Sequence, residues 1–517
     1  MNKLHIYIIF VAVLLFSASC KKSTIDSQYY SPDKSITASV PTLYAGLFNN
    51  SYVIPKYWNL YTLLIPVEGK YSQSSGYTNT SKVYEQPVNY TANKWDNYYT
   101  TVVSQYREIQ KNYEAITDAT QKAGYQVFLE TASIFYYDQT AQMVDLYGDI
   151  PFTNAGGLNA TGTIIRASYD AASAIYNFIL SDLDRINAFL DTVELSSLYQ
   201  GQLAQYDYVN GGDLTLWRKY ANTLRMRLAM RISYYDESTA KSIVMTMLND
   251  ETTYPMVTTV DDAIQINLAG NMISTSNDIR NGFGVNPYGS GYMIDSVMSP
   301  TSDPRLPLYF TTNASSVYHG ISNTLSEAVV AAGQVAGTFS RYDSATFTEN
   351  NYFPGIIIDA AESNFLMAEA YARWGTVASA TTAYERGIRQ SIAFYYSMNA
   401  NSSYSGTKES APTETAIAAY LANTSVALTS TLSSNLNKIA IQKWLDFNVM
   451  QANQSWAEYR RTKLPALTFP TDNSSLAATN PPNRFLYPSS ESTYNADNYA
   501  AVASKDNIST KIFWDVQ

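Results

Sequence analysis

Apolar residues along this chain recur mostly at steps of three and four, the spacing of one helical face. Ile36, Val40, Leu43 and Leu47 open the series. Helical patterns follow over about 94–147, divided near Gly124, and over about 170–190, 213–235 and 239–248. Within 222–231, Leu224, Leu228 and Arg231 step along one face. Later helices are predicted over about 359–374, 377–396 and 434–451. Two stretches break the pattern. Residues 66–92 are punctuated by Pro66, Gly69, Gly76 and Pro87, and 250–355 by Gly282, Pro287, Gly289, Gly291, Pro300 and Pro354. Both read as loop-rich, with a strand-like fragment over 264–268 in the second. The chain is therefore mainly α, and connections longer than about 15 residues point to function.

The predicted pair 359–396 carries Ala368, Tyr371, Gly375, Ala380 and Tyr384, in the order small, aromatic, glycine, small, aromatic. These offsets resemble a tetratricopeptide repeat, in which small residues admit a close helix approach and rings fill the gap.

The first residues bear on compartment. Lys3 precedes the apolar run Ile6–Phe16, then come Ser17-Ala18-Ser19 and Cys20. Charged, apolar, then small is the layout of a secretory signal, and the run is shorter than the roughly 20 residues of a membrane-spanning helix. Residues 1–19 are read as signal peptide and Cys20, the single cysteine, as a lipobox-like lipidation site. Residues 20–38 form a tether and 39–517 the folded part. The latter divides into N-terminal helices with a first loop region (39–250), a loop-rich cap (251–355), and C-terminal helices with a tail (356–517).

With Cys20 acylated, disulfides, cysteine-ligated metals and thiol nucleophiles are excluded from the fold. His319 is the one imidazole left after His5 departs with the signal, so no two-histidine metal motif can form. No cofactor is expected. Loop oxygens leave a structural calcium ion open, although no EF-hand spacing is present. The net charge of −10, without basic clusters, disfavours nucleic acid and adhesion to anionic lipid.

Tyrosine is the compositional outlier, at 44 residues against 19 Phe and 7 Trp. Its rigid ring and polar tip suit partly polar ligands such as sugars, and a binding site belongs in the loop-rich stretches. Tyr71, Tyr77 and Tyr84, with Gln73 or Glu68 as hydrogen-bonding partner, are candidates in the first stretch. Asn286, Tyr288 and Tyr292 are candidates in the second, flanked by glycines that would let a sugar approach the backbone, with Tyr318, Tyr309 and Arg280 behind them. No catalytic residue and no metal ligand is assigned. A glycoside hydrolase built on paired carboxylates, a peptide-binding protein and a purely structural repeat adaptor stay open as alternatives.

Five segments, in order, resemble the SusD/RagB family: Asp145–Phe152, Asp359–Arg373, Ile441–Leu445 with Trp456–Arg461 and Pro465, Asn483–Glu491, and Lys511–Asp515. The resemblance implies a tetratricopeptide-like helical scaffold with a loop-rich ligand-binding cap. It implies a glycan-binding lipoprotein, not an enzyme, anchored at the outer membrane of a Gram-negative bacterium and facing the cell surface. Its partner would be a TonB-dependent, SusC-like transporter that takes up the oligosaccharide, or in some members a peptide. Glu362, Glu369, Arg373, Glu458, Arg460 and Arg461 fall inside these motifs and are read as buried ion pairs locking helices together, since a buried charge needs a partner.

Overall fold

The computed structural model describes residues 38–268 and 278–517; Cys20 and the rest of 1–37 lie outside the described residues. The fold is mainly helical, on a tetratricopeptide-like scaffold, and the described residues contain one two-stranded sheet. Helix α1 (Val40–Leu47) starts behind Ser39, whose hydroxyl caps it. Helix α2 (Val88–Asn97), a π segment (Tyr98–Val103) and α3 (Ser104–Glu114) run head to tail. Asp118 caps α4 (Ala119–Tyr147). The break expected at Gly124 is therefore misplaced. Gly124 lies inside α4, where a Cβ would fall 2.2 Å from the Tyr199 ring, so this glycine serves a close helix approach and not a turn.

Helices α5 (Ala172–Thr192), α6 (Ser197–Tyr206), α7 (Leu214–Arg231) and α8 (Glu237–Asn249) complete the N-terminal half. The C-terminal half holds α9 (Glu327–Ala336), α10 (Ala360–Trp374), α11 (Val377–Ala400), α12 (Glu414–Ala422), α13 (Leu432–Phe447) and α14 (Ala452–Thr462). Small residues set the approach of α10 to α11. Ala368, Ala380 and Ala383 are buried, and a Cβ on Gly387 would sit 2.6 Å from the Phe365 ring.

The first predicted loop begins later than expected. Residues Leu60–Glu68 form a π-helix that continues through Pro66, followed by a helical turn Gly69–Tyr71. Burial of Leu60, Leu63, Leu64, Ile65 and Val67 outweighs the local breaker signals. Strand Ile264–Ile266 pairs antiparallel with Gly355–Ile358, so the second loop-rich stretch leaves and rejoins the scaffold through one strand pair. A second apolar core, including Leu60, Phe283, Tyr309, Phe394 and Trp444, seats that stretch on the helices. Buried Arg305 bolts it down: its guanidinium reaches Asp303 at 2.6 Å and Gln442 of α13 at 2.6 Å.

Most of the motif charges meet in ion pairs inside the scaffold. Buried Arg460 is the exception: it forms no ion pair among the described residues and donates instead to the carbonyls of Asp145 at 2.8 Å and Asn483 at 2.7 Å, with its guanidinium 3.9 Å from the Trp456 ring. Arg461 is fully buried and bidentate to Glu369, at 2.7 and 2.6 Å, and also bonds Glu458 at 2.6 Å. Lys443 and Arg231 each reach Glu458 at 2.5 Å, and Arg231 stands 3.4 Å from Asp145. Asp145 in turn accepts from Tyr176 at 2.5 Å and from the Trp514 indole at 2.8 Å. Arg227 pairs with Glu362 at 2.5 and 2.6 Å. Burial alone would raise the Glu369 carboxyl, but Arg461 and Lys443 outweigh it and hold the group down at about 2.

Another buried pair works the other way. Asp359 caps α10 through the Glu362 N–H at 2.8 Å and faces Asp446. Burial, together with the Asp359 charge, pushes the Asp446 carboxyl well above its ordinary value, and burial pushes Asp359 from 3.8 up to about 6. Neither carboxyl is in a close ion pair among the described residues, and two buried carboxyls side by side without a paired base cannot both ionise.

Two outcomes follow. Arg461→Ala leaves Glu369 and Glu458 without their main counter-charge and is expected to cost about 3–5 kcal/mol, read as a lowered Tm, with ligand affinity per folded molecule unchanged. The Asp359–Asp446 pair contributes stability that is full below the ordinary carboxyl pKa of 3.8 and lost as pH rises through its raised folded values, about 6 for Asp359. Asp446→Asn, permanently neutral, is expected to flatten that decline, so that its Tm exceeds the parent's at about pH 7; a parallel decline in both proteins counts against the shared proton.

Candidate functional site

Both loop-rich stretches contribute to one cap, and a third segment joins them. The Gly76 N–H donates to the Tyr288 carbonyl at 3.0 Å, and Asn286 donates back to the Gly76 carbonyl at 2.6 Å. Tyr342 donates to the Ser74 carbonyl at 2.6 Å. Gln73, at φ 52°, and Asn323 both donate to the Thr468 carbonyl at 2.7 Å. Asp472 accepts from the Val83 N–H at 2.6 Å. Gly76 permits the closest of these approaches, because a Cβ there would lie 2.8 Å from the Gly289 carbonyl.

Where the three segments converge they leave a cleft of about 170 Å³, lined among others by Tyr77, Asn79, Thr80, Asn323, Thr324 and Asp472. Asn79-Thr80 and Asn323-Thr324 face the cleft from different loops, so amides and hydroxyls dominate its polar lining. Lys70 is buried and donates to Asn79; burial pushes its ammonium from 10.5 down to about 8. Burial would raise Asp472, but hydrogen bonds from Ser474 and from backbone N–H groups hold it below its ordinary value. The wall is thus pre-organised: its one acid is ionised and already committed to protein donors.

The residues named from sequence mostly serve as struts of this cap. Tyr71, Tyr77 and Tyr84 are buried, with hydroxyls donated to the carbonyls of Tyr84 at 2.9 Å, Lys70 at 2.8 Å and Pro470 at 2.8 Å. Burial pushes all three phenols up. Their ring faces are taken by protein, so the expectation that they stack on sugar is corrected, although an edge of Tyr77 lines the cleft. Gln73 and Asn286 are likewise buried and spent on backbone carbonyls. The glycines around Tyr288 and Tyr292 admit protein and not ligand: a Cβ on Gly291 would sit 2.8 Å from the Ser322 nitrogen.

Tyr288, Tyr292 and Tyr318 are half-buried. Tyr288 lies under Arg341 at 5.5 Å and Tyr292 leans on Trp444 at 5.7 Å, and none of the three lines the cleft. Tyr309 is core and Arg280 is paired with Glu349. His319 stands 3.2 Å from Asp295. The cleft residues Asn79, Thr80, Asn323 and Thr324 went unrecognised in the sequence; the signal was the Asn-Thr pair repeated in both loops.

Glu68 belongs elsewhere. Burial pushes its carboxyl from 4.5 up to about 7, partly offset by Lys94 and Arg460, and burial pushes Lys94 down to about 8. Both line a polar chamber of about 50 Å³ with Gln139, Gln142, Gln451 and Gln454. At about 10–15 Å³ per water, that volume suits hydration better than a sugar ring. Among the described residues no cluster of three His, Cys, Asp or Glu side chains is placed to hold a metal ion, and no helix is long and apolar enough to cross a membrane.

Comparison with known proteins agrees with this architecture. A chitin-binding SusD homologue from Flavobacterium johnsoniae superposes with TM-score 0.74 at 23% identity, covering 92% of this chain and 99% of that one. A SusD homologue from Bacteroides fragilis gives 0.73 at 20%, over 92% and 100%. Another chitin-binding protein gives 0.75 at 22%, also over 92% and 100%. No curated protein matches the sequence. The family model described as SusD-like, starch-binding and associating with the outer membrane matches residues 56–488. The chain belongs to this SusD-like family.

Proposed function

We propose that this protein binds neutral oligosaccharides at the cap cleft and hands them to a TonB-dependent, SusC-like transporter, anchored at the outer membrane through lipidated Cys20 and facing the cell surface. The observation that carries the reading is the cleft itself, in which three segments distant in sequence bring amide and hydroxyl side chains together beside a buried tyrosine. Amides and hydroxyls both donate and accept, which matches the mixed demands of sugar hydroxyls. The starch-binding description of the family and the chitin-binding neighbours support glycan as the ligand class.

Binding without turnover fits the same geometry. Glycoside hydrolysis uses two carboxyls flanking the bond, one of them a proton donor. The single acid lining this cleft, Asp472, is ionised and engaged by Val83 and Ser474. No cofactor is required for reversible binding, and a calcium ion has no part in the proposal.

A glycan array followed by calorimetry on the full-length chain tests the proposal. Saturable binding of a neutral oligosaccharide with no new reducing ends is expected, and Asn79→Ala with Asn323→Ala should weaken it by roughly tenfold, about 1.4 kcal/mol. Binding that this double variant leaves intact rejects the cleft; release of shorter sugars rejects the non-enzymatic reading. As a control, Tyr71→Phe strands the buried Tyr84 carbonyl and is expected to cost about 1–3 kcal/mol of stability while affinity stays the same.

A further inference from the structure

A second cleft shares no lining residue with the cap. It opens between α3, α4 and α5 and holds about 370 Å³, against about 170 Å³ for the cap cleft. That lies within the usual range of small-ligand sites, about 300–1,000 Å³.

Its walls are aromatic and rigid. Tyr106, Tyr136 and Phe152 form a parallel stack, with centroids 4.2 Å apart at 12° and then 5.8 Å apart at 9°. Phe178 crosses Phe152 at 63° and Tyr137 at 89°. Yet Phe178 is 49% exposed. It lies off the buried stripe of α5 formed by Ile175, Ile179, Leu183 and Ile186; its edge-to-face contacts with Tyr137 and Phe152 fix the ring while leaving about half of its surface open at the cleft.

The rim is polar and held in place. The Arg107 guanidinium donates to Ala155 at 2.9 Å, Phe152 at 3.0 Å, Thr153 at 3.1 Å and the Gln110 side chain at 2.8 Å. Five N–H groups serve these four bonds, which leaves one for a ligand. The Asp170 carboxylate accepts from the Phe152 and Thr153 N–H groups at 2.9 Å each and from the Thr153 hydroxyl at 2.8 Å. Three of its four lone-pair sites are used, which leaves one on Oδ1.

The occupant must satisfy all of this together. An acyl chain or an apolar peptide face would desolvate Arg107 and Asp170 without pairing them, which is costly. An anion would meet Asp170, and a cation would meet Arg107. A neutral ring with an apolar C–H face and a hydroxyl-bearing edge meets none of these objections. We propose that this cleft is a second binding site, which takes a short stretch of neutral pyranose residues. Phe178 lies under the sugar face, and Arg107 and Asp170 engage neighbouring hydroxyls as donor and acceptor.

The test uses the full-length chain in detergent micelles, titrated calorimetrically with chitotetraose, maltotetraose, cellotetraose and xylotetraose. The variants are Phe178→Ala, Phe178→Trp, and Asn79→Ala with Asn323→Ala to weaken the cap cleft. Residual binding by the cap variant is expected for at least one sugar. Adding Phe178→Ala should weaken that residual binding by roughly tenfold, about 1.4 kcal/mol, and Phe178→Trp should restore it. An unchanged Tm for Phe178→Ala separates lost binding from lost fold. The proposal is overturned if the cap variant binds none of the sugars, or if Phe178→Ala leaves its residual binding unaltered. A loss on Phe178→Ala alone, with the cap variant neutral, would instead sink the cap-cleft reading and keep this one.

Discussion

A balanced set of charges buried in the helical scaffold is the constraint on which the rest depends. Arg461, Glu369, Glu458, Lys443, Arg231 and Asp145 come from five helices. Removing any one partner leaves an uncompensated charge worth several kcal/mol, so the set favours only the complete arrangement. Its reach extends to the cap. Trp514 closes on Asp145, and Lys463 reaches Asp515 at 2.6 Å, which brings the C-terminal end back to the scaffold. The chain between those anchors includes 466–480, and this segment supplies Pro470, Thr471 and Asp472 to the cleft. One wall of the cleft is thus positioned by an ionic core that does not line it.

What was legible in the sequence follows from the range of each signal. Helical periodicity placed nearly every long helix of the scaffold, because one-sided burial imprints the pattern on the residues themselves. Most motif charges were legible as ion pairs because a cluster of carboxylates and arginines in apolar helices has few other solutions; Arg460, spent on backbone carbonyls, is the exception. The π-helix through Pro66 was not legible, since it depends on a core assembled partly from Phe283 and Trp444, far away in sequence. Nor was Gly124, a gap for a ring that arrives 75 residues later, at Tyr199. Helices α6, α9, α12 and α14 were passed over, lying in punctuated or polar stretches with no sustained apolar period. Of the site, the two loop regions were legible but their roles were not: which face of a loop meets solvent depends on the other loops, and a single chain segment carries no record of that.

The tyrosines make the same point in chemical terms. Their excess suggested a surface for sugars, yet the structure spends many of them inside, with the ring in a core and the hydroxyl on a backbone carbonyl. Tyr71, Tyr77, Tyr84 and Tyr342 do this within the cap. Tyr309 and Tyr395 tie to α13 through Leu445 at 3.1 Å and Asp446 at 2.5 Å, and Tyr384 to Val426 at 2.9 Å. Tyr147 and Tyr487 hold Thr91 and Asp149 at 2.6 Å.

Long irregular segments carry carbonyls that no helix or sheet ladder satisfies, and an unpaired buried carbonyl is costly. Phenylalanine would fill the same space and leave those carbonyls bare, whereas tyrosine fills the space and supplies a donor at fixed reach. A folded region with no cysteine and hardly any sheet has few other means of pinning its loops. The Tyr-to-Phe ratio is therefore a signature of loop anchoring in this fold, and the proposed ligand contacts rest instead on the partly exposed polar side chains at the loop tips, Asn79, Thr80, Asn323 and Thr324. The half-exposed Phe178 is the counterpart of that rule. An aromatic ring that lacks a hydroxyl, lies off its helix's buried stripe and is held by edge contacts with about half of its surface open on a cleft anchors no loop carbonyl, and that open surface is the physical ground for proposing it as a ligand platform.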